Sequence, residues 1–476
     1  MNRKFFCLLV LLPAWFTVIA QDKWDLRRCV DYAVENNISV KQEDIRARLS
    51  ELTYKQSNLS KYPSVNFSSS AGINSGRSID RTTNLYTTQN IFYNSFGLQA
   101  GVDLFNFGSK RNTIAANQFA YQASLATVEK IKNDISLNVA GSYLQVLLNK
   151  EQLTIDSIKV QQTAAQLNNT RKLVQAGSVP ELNAVQLEAQ LAKDSANFIT
   201  AQGNVVKSLL FLKALLQLDA ATAFDVVTPP VALIPIDPIS SLQPEDVYRL
   251  ALQNLPQQRV NNLLLKAAQK NADAAKSFMY PNLSLGASFQ TNYSNLKNQQ
   301  RIVNLTPVTD TIGTVSNTNQ FVVKNGFTWD NIYFADPYFT QFQNNFGRGV
   351  GLTLSVPIFN GGSARTNWER AKLNIRTYEL QQQQDNLTLK QDIYNAYTDA
   401  VTSLETFNAS NKTVSAAERA YDFATKRWTA GLLNTLDLIT TQNNLYTARQ
   451  QRLLAQYNYV FKMKVLEFYR GQGLKL

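Results

Sequence analysis

The stretch Leu104-Phe105-Asn106-Phe107-Gly108-Ser109-Lys110-Arg111 recurs 254 residues later as Ile358-Phe359-Asn360-Gly361-Gly362-Ser363-Ala364-Arg365. In both places a segment of alternating apolar and polar residues comes before the motif. A long segment with helical spacing of apolar residues follows it, and from Ser109 to about Gln175 it contains no proline and one glycine. The motif therefore predicts a strand that turns into a long helix, twice in one chain.

A second pair of segments shows that the whole chain is a duplication. The segments at 33–38 and 251–256 share an Ala-x-x-Asn pattern, and Tyr62-Pro63 and Tyr280-Pro281 follow them at the same offset of 218 residues. The offset rises to 254 between Pro281 and Phe359, so one loop of the second half is 36 residues longer. Each half reads helix, strand, loop, strand, long helix, turn, helix.

The repeat gives a division of the chain into four parts. Residues 1–20 are predicted to be a signal peptide, 21–225 the first structural repeat, 226–244 a proline-rich linker, and 245–476 the second repeat with its longer loop. Prolines as dense as those from Pro229 to Pro244 cannot continue a helix, which marks the linker.

The N-terminus predicts export. Arg3 and Lys4 precede an apolar run from Phe5 to Val18, and Ala20 is a small residue suited to cleavage. Beyond Gln21 no stretch approaches the ~20 apolar residues of a membrane-spanning helix, so entry into a membrane would require strands.

Composition argues against enzymes, metal proteins and nucleic-acid binders. The chain has no histidine, and Cys29 is the one cysteine beyond the predicted signal peptide. No phosphate-binding loop, nucleophile elbow or paired-cysteine motif occurs, so no catalytic residue, metal ligand or cofactor is predicted. The net charge of +12 comes from scattered basic residues rather than a patch, which favours a solvated surface over nucleic acid.

The four predicted strands each have one apolar and one small, polar face. An ordinary half-buried sheet also alternates in this way. The ~9–11 residue length, the neutral polar face and the predicted export favour a membrane barrel with a wet lumen. The residues predicted to face lipid are Val65, Phe67, Leu98, Val102, Leu283, Leu285, Leu352 and Leu354.

Four strands are too few to close a barrel, because bacterial barrels begin at ~8 strands. An open edge in lipid leaves backbone groups unpaired at several kcal/mol each. The sequence therefore predicts oligomerisation, and spacing alone leaves two copies and three copies open.

Aromatic residues cluster where the hairpin loops are predicted. They form either an aromatic belt at the membrane interface or the packing of an ordered loop. These residues are Tyr86, Phe92, Tyr93, Tyr293, Trp329, Tyr333, Phe334, Tyr338, Phe339 and Phe342.

The long helices would each reach about 100 Å at ~1.5 Å per residue, far beyond a globular core. Apolar residues recur at spacings of three and four in these long helices and in the shorter segment that follows each of them. Two antiparallel helical hairpins are therefore predicted, and their exposed faces are rich in Gln, Asn, Lys and Thr. The hairpin tips are simple turns at least, and we expect exposed Val179, Leu432 and Leu433 to dock a partner there. The tip residues are Ala176, Gly177, Ser178, Val179, Ala430, Gly431, Leu432 and Leu433.

These motifs together resemble the TolC family of outer-membrane efflux proteins. The features shared with the family are the duplicated Ala-x-x-Asn segment, the Tyr-Pro entry into a strand, the Phe-Asn-x-Gly exit into a helix, and the Gly-x-x-x-x-Leu-Asp turn at 431–437. The resemblance covers nearly all of the chain after Gln21.

The resemblance implies a mixed α and β fold, with long coiled-coil hairpins forming a periplasmic tunnel and four strands per chain in a twelve-stranded trimeric barrel. It implies a homotrimer in outer-membrane lipid that docks a periplasmic adaptor protein and an inner-membrane efflux pump or ABC exporter. It also implies that Asp437 narrows the periplasmic entrance as a ring of three carboxylates, while Thr440 and Asn183 stand where acids occur in the family. A helix-start carboxylate facing the helix dipole is the alternative for Asp437.

The function that the resemblance implies is an outer-membrane exit duct of a tripartite efflux or type I secretion system, not an enzyme. A general porin, a surface coiled-coil adhesin and a soluble periplasmic enzyme are the alternatives. Half of the chain is long helix, which disfavours a porin. Four strands with apolar faces disfavour an adhesin, and the missing catalytic motifs disfavour an enzyme.

Overall fold

The computed structural model describes residues 23–79, 84–88, 90–229, 234–297 and 299–471, without the side chains of Ser78, Thr87, Asn331 and Tyr333. The predicted signal peptide, 1–20, lies outside these residues. The predicted linker, 226–244, lies within them apart from 230–233.

Within the described residues, the order of elements follows the predicted duplication. The helices are α1 Leu26–Asn36, α2 Ile38–Leu59, α3 Ser109–Gln175, α4 Glu181–Leu216, α5 Pro244–Asn254, α6 Pro256–Ser277, α7 Tyr338–Asn344, α8 Ser363–Thr429 and α9 Thr435–Tyr469. The strands are β1 Ser64–Asn74, β2 Arg77–Ile79, β3 Tyr86–Thr88, β4 Ile91–Phe105, β5 Asn282–Ser294, β6 Gln299–Thr314, β7 Phe321–Phe334 and β8 Gly347–Ser355. The long helices α3 and α8 have 67 residues each, as the repeat predicts.

Each half opens with two helices where the sequence predicted one. The repeated Ala-x-x-Asn segment is the break between them: Asn37 has φ −62° and ψ 132°, and its counterpart Leu255 has φ −69° and ψ 132°. In both halves the N–H of the break residue donates to the carbonyl four residues earlier, in Ala33 and Ala251. The repeated motif therefore ends one helix and starts the next.

The Phe-Asn-x-Gly motif forms the same turn in both halves. Phe107 and Gly108 have φ values of 48° and 82°, and their counterparts Gly361 and Gly362 have 65° and 77°. Two successive left-handed residues reverse the backbone between strand and helix, which glycine permits at little steric cost. The strained residue Phe107 is held by its ring, which stacks on Tyr280 at 5.0 Å.

Residues Leu52–Asn117 and Ala268–Ile375 form one compact unit, built on a four-stranded antiparallel sheet. The strand order is β1-β4-β5-β8, so β1 and β8 are the edges. Apolar residues lie opposite one another through the sheet. The pairs are Val65 with Ala100, Phe67 with Leu98, Leu98 with Phe289, Val102 with Leu285, Leu285 with Leu352, and Leu283 with Leu354.

The loops of this unit carry more structure than the sequence predicted. A short ribbon of β2 and β3 stands in the first loop, and a ribbon of β6 and β7 occupies the longer second loop. The insertion folds this way because β6 is rich in the β-branched residues Ile, Val and Thr, and Asn319 takes a left-handed φ of 47° in the turn. The helix α7 then precedes β8.

A second compact unit, which is helical, is formed by the described residues of three further stretches: 23–51, 118–267 without 230–233, and 376–471. The predicted antiparallel hairpins are α3–α4 and α8–α9, and they share buried apolar clusters. The largest cluster includes Val139, Tyr143, Leu144, Leu147, Leu212, Leu216, Tyr457 and Val460. It is contributed by helices of both halves, so the compact units and the sequence repeats divide the chain differently.

One described helix, α4, is long and apolar enough to cross a membrane, where the sequence analysis found no such segment. Leu187, Leu212 and Leu216 are fully buried in the helical unit, whereas Ile199 and Phe211 are more than 60% exposed. Packing within the unit therefore accounts for part of the apolar composition of α4.

Candidate functional site: the sheet face and the hairpin tips

The apolar face of the sheet brings together the side chains that were predicted to face lipid. All eight lie on one face, because their registers alternate in step across the four strands. Val65, Phe67, Leu352 and Leu354 are each more than 60% exposed. The opposite face carries small or polar residues, such as Ser68, Gly97 and Gln290 in one row. An apolar face this exposed needs an apolar environment to cover it.

The helix α7 closes part of one strand edge that β8 is too short to cover. β5 extends to Ser294, whereas its pairing with β8 ends at Gln290 opposite Gly347. Beyond that point Gln341, 4% exposed, accepts from the Ser294 N–H at 3.0 Å and donates to the Ser294 carbonyl at 2.8 Å. Asn345 donates to the carbonyl of Asn292 at 2.8 Å. Side-chain amides thus replace the missing strand.

Aromatic side chains fasten α7 to the apolar face of the sheet. Tyr338 lies 4.7 Å from the ring of Tyr293, and Phe342 lies 5.3 Å from the ring of Phe96. The Tyr338 hydroxyl also accepts from Asn94 at 2.8 Å. The loop aromatics were interpreted either as a belt at the membrane interface or as packing within an ordered loop. Both interpretations fit these residues, because they pack together at the end of the apolar face.

The two hairpin tips have the same backbone. At the first tip Gly177 has φ 70°, its N–H donates to Val174, and the N–H of Ser178 donates to Leu173. At the second tip Gly431 has φ 72°, with equivalent bonds from Gly431 to Trp428 and from Leu432 to Arg427. This pair of bonds with a left-handed glycine is a Schellman motif, which satisfies the last carbonyls of a helix.

The apolar side chains at the tips are less exposed than the sequence predicted. Leu432 is 69% exposed, but Val179 and Leu433 are only half-exposed. Both half-exposed residues stand just before the N-cap of the returning helix, at Pro180 and Asn434. An apolar residue at this position packs back on the first turns of the helix. Of the three residues Leu432 is the most open, Val179 and Leu433 are partly buried, and the docking role of the tips stays a prediction.

Asp437 lies in the first turn of α9 and is exposed. Its backbone N–H donates to the side-chain oxygen of Asn434 at 2.8 Å, and its carboxylate accepts from the amide of Asn434 at 2.8 Å. This reciprocal arrangement caps the helix, and the carboxylate faces the positive end of the helix dipole. Asp437 thus stabilises the start of α9, and its carboxylate stays exposed at the tip.

The first tip carries an acid that the sequence analysis missed. Glu181 occupies the first turn of α4 and is exposed, two residues before Asn183. A carboxylate directly after Pro180 is a helix-start signal that could have identified it. Each tip therefore has one exposed carboxylate at a helix N-terminus.

A buried polar cluster lies between α3, α4 and α9, where the sequence predicted exposed polar faces. The Asp194 side chain is 0% exposed and accepts from Lys159 at 3.0 Å, Thr163 at 2.8 Å and Gln190 at 2.7 Å. Gln190 also exchanges hydrogen bonds with Asn443 of α9. The residues are buried because their polar groups satisfy one another between the hairpins.

Electrostatic shifts in the helical unit follow burial. Burial raises the pKa of the Cys29 thiol to about 12, with a smaller contribution from Asp25. For Asp225, burial alone would raise the pKa, but hydrogen bonds from Lys150 and the Val226 N–H bring it below its usual value. These groups support packing rather than chemistry, and within the described residues no cluster of His, Cys, Asp and Glu suited to a metal ion occurs.

This chain is similar to known proteins in both sequence and fold. The sequence profile of the outer membrane efflux protein family matches residues 30–217 and 247–471. The outer membrane protein TolC of Escherichia coli K12 is 23% identical over 374 residues, which are 77% of this chain and 67% of that protein.

Solved structures agree with this match. A crystal structure of CusC superimposes with a TM-score of 0.75 at 18% identity, covering 98% of this chain and 96% of that one. The CmeC channel of Campylobacter jejuni gives a TM-score of 0.72 at 17% identity, over 94% and 86% of the chains. The two segments that the sequence profile matches correspond to the two repeats of the chain and together cover most of it. The chain therefore belongs to the outer membrane efflux protein family.

Proposed function

We propose that this outer-membrane efflux protein acts as a trimeric exit duct, through which cargo passes from a periplasmic adaptor and an inner-membrane pump or ABC exporter to the outside. The observation that supports this most is the four-stranded sheet with one apolar face and two unpaired edges. Three copies supply twelve strands and six helical hairpins. The division into a signal peptide, two repeats and a linker at 226–244 stays a prediction.

The same sheet sets the orientation that we propose. The exposed apolar face, from Val65 to Leu354, contacts outer-membrane lipid, and the small polar face lines a water-filled lumen. The strand ends next to Ser109 and Ser363 lie at the periplasmic side, where α3 and α8 begin. Transport then requires no catalytic residue or cofactor, since a wet path with a constriction is sufficient.

Insertion and assembly are tested on purified mature protein. We expect a complex that remains trimeric in SDS until heated, fractionates with outer membranes and conducts ions in planar bilayers. A monomer that stays soluble without detergent contradicts the proposed function.

We propose the hairpin tips as the docking and gating end of the duct. The tip residues Ala176, Gly177, Ser178 and Val179, with Ala430, Gly431, Leu432 and Leu433, form two equivalent turns. Exposed Leu432 offers an apolar contact for the adaptor, and its replacement by serine should weaken adaptor binding in a pull-down more than Leu387→Ser does, because Leu387 is a similarly exposed residue of α8 far from the tips.

Asp437 is the proposed gate residue, since a ring of three exposed carboxylates would attract cations and hold divalent ions. We expect Asp437→Ala to raise conductance and to weaken block by divalent cations. Asp422→Ala is the matched control, because Asp422 is an exposed acid of α8 paired with Lys426. Unchanged divalent block in Asp437→Ala would remove the gate assignment.

The names of the relatives indicate several kinds of cargo rather than one. Proteins similar to this chain are named for cation efflux, as CusC is, and for pyoverdine export, as OpmQ of Pseudomonas aeruginosa is. We propose that the duct itself is permissive and that the partner pump selects the cargo. Exchanging the pump while keeping this chain should therefore change which compound is exported.

A further inference from the structure

Arg348 is a charged residue in an apolar row of the sheet. It pairs with Phe289 of β5, which pairs with Leu98 of β4, which pairs with Phe67 of β1. Because the register alternates in step, Arg348 is on the same face as Val350, two residues further along β8. This row therefore places a guanidinium on the face that we assign to lipid.

The guanidinium is exposed and free to bind a partner. Arg348 is exposed, and among the residues that the structure describes no carboxylate forms an ion pair with it. The side chains below it on β8 are apolar and open, with Val350 77% exposed and Leu352 65% exposed. A cation beside such a surface is stable at the level of the headgroups, where it finds water and anions, but expensive deeper in the hydrocarbon.

The structure gives the depth of Arg348. The next two rows of β5, at Thr291 and Tyr293, are covered by α7 through the contacts of Phe342 and Tyr338. On β5, α7 thus covers the apolar face beyond the row of Arg348, whereas Phe346 and, on β1, Ile73 stay exposed there. From exposed Ile358 to Arg348 the chain spans roughly 33 Å if extended, or about 25 Å along the membrane normal at a strand tilt of ~40°. That span matches the ~25 Å apolar band of a membrane barrel.

The aromatic residues of α7 fit the same level. Phe339 is 79% exposed, and its ring lies 5.6 Å from that of Tyr338 in an edge-to-face contact. Aromatic side chains at a membrane–water interface occupy the headgroup region. Arg348 and α7 together therefore mark the outer boundary of the lipid-exposed band.

We propose that Arg348 and α7 form a binding site for an anionic lipid of the outer leaflet. Arg348 binds the headgroup phosphate, since guanidinium offers two parallel N–H donors to phosphate oxygens. The acyl chains lie along Val350 and Leu352, and Phe339 contacts the headgroup boundary. This inference rests on the proposed function, which places the apolar face in the outer membrane.

The test compares lipid binding in detergent-purified trimers by native mass spectrometry. The probes are phosphatidylglycerol and phosphatidylcholine of identical acyl chains, so that only the headgroup differs. Both lipids carry a phosphate, but the ammonium of choline neutralises it in phosphatidylcholine, so the comparison reports on net headgroup charge. We expect the wild-type protein to retain phosphatidylglycerol preferentially, Arg348→Gln to lose that preference by at least about fivefold, and Arg348→Lys to keep part of it, because lysine keeps the charge without the fork.

Arg301→Gln is the matched control, because Arg301 lies on the β6–β7 ribbon rather than on the four-stranded sheet. A preference that survives in Arg348→Gln, or that Arg301→Gln abolishes equally, overturns the lipid site. Failure of the proposed function is distinguishable, because wild-type protein would then neither insert into bilayers nor form trimers. Wild-type protein that inserts without any anionic preference contradicts the lipid site alone.

Discussion

Replacing Gln341 with methionine should open the outer end of β5. The substitution keeps the size of the side chain and removes its amide, so it deletes the bonds to the Ser294 N–H and carbonyl and a third bond of 2.9 Å to the Asp336 carbonyl. A hydrogen bond contributes about 1 kcal/mol net. The two bonds to Ser294 therefore amount to about 2 kcal/mol of local stability at a strand end that β8 does not cover.

Hydrogen exchange of peptides that contain Ser294 measures this local stability. A loss of about 2 kcal/mol corresponds to roughly 30-fold faster exchange when exchange reports the equilibrium of local opening. The effect should be confined to β5 beyond Gln290 and to α7. Peptides of β1, which is paired along its length with β4, should exchange as in the wild-type protein.

Gln343→Met is the matched control, because Gln343 is exposed on the same short helix. It introduces the same side chain into α7 without removing the bonds to β5. Equal exchange at Ser294 in the Gln341→Met and wild-type proteins would refute the idea that a side-chain amide seals this edge. Equal acceleration in both variants would show that α7 tolerates no methionine, which also refutes the specific role of Gln341.

Three other perturbations address the helical unit. Asp194→Asn should lower the free energy of unfolding in urea by about 3 kcal/mol, because it leaves the buried ammonium of Lys159 without its carboxylate. Adding Lys159→Met should recover much of that loss. Full stability of the single variant would contradict a stabilising ion pair. Gly431→Ala meets open space, so only the left-handed φ is penalised, and we expect about 1 kcal/mol of local destabilisation by hydrogen exchange at the tip. Burial raises the pKa of Cys29 to about 12, which keeps the thiol protonated at pH 8, so alkylation should be far slower than in the urea-unfolded chain; equal rates would show that Cys29 is accessible.

Much of the fold could be predicted because it depends on local patterns that occur twice. Helices α3 and α8 have the predicted bounds, since a long segment without proline leaves few other structures. The strands were predictable because one face is apolar over most of their length. The breaks at Asn37 and Leu255 were missed because the repeated motif reads as helical on both sides, and only the backbone angles at one residue end α1 and α5.

The features that sequence reasoning missed depend on contacts between distant segments. Asp194 on a helix reads as a solvated charge, and its burial follows from Lys159, 35 positions away, and from Asn443 through Gln190. Gln341 similarly acts on a strand 47 residues earlier in the chain. Val179 and Leu433 were misjudged because an apolar residue before an N-cap looks exposed in sequence, although the helix that follows packs against it. Long-range pairing of this kind leaves no periodic signal.

The strand edges of the four-stranded sheet differ in how their backbone groups are satisfied. Within one chain α7 satisfies the short uncovered end of β5, but the outer edges of β1, with 11 residues, and β8, with nine, remain unpaired in the described sheet. About half of those residues direct an N–H and a carbonyl outward, which in lipid amounts to tens of kcal/mol. The two edge strands are antiparallel, because the sheet has four alternating strands, so β8 of one copy can pair with β1 of the next in a closed ring. Gln341 protects a few residues of one edge while two whole edges of the described sheet stay open, and this contrast supports the proposal that further copies of the chain complete the barrel.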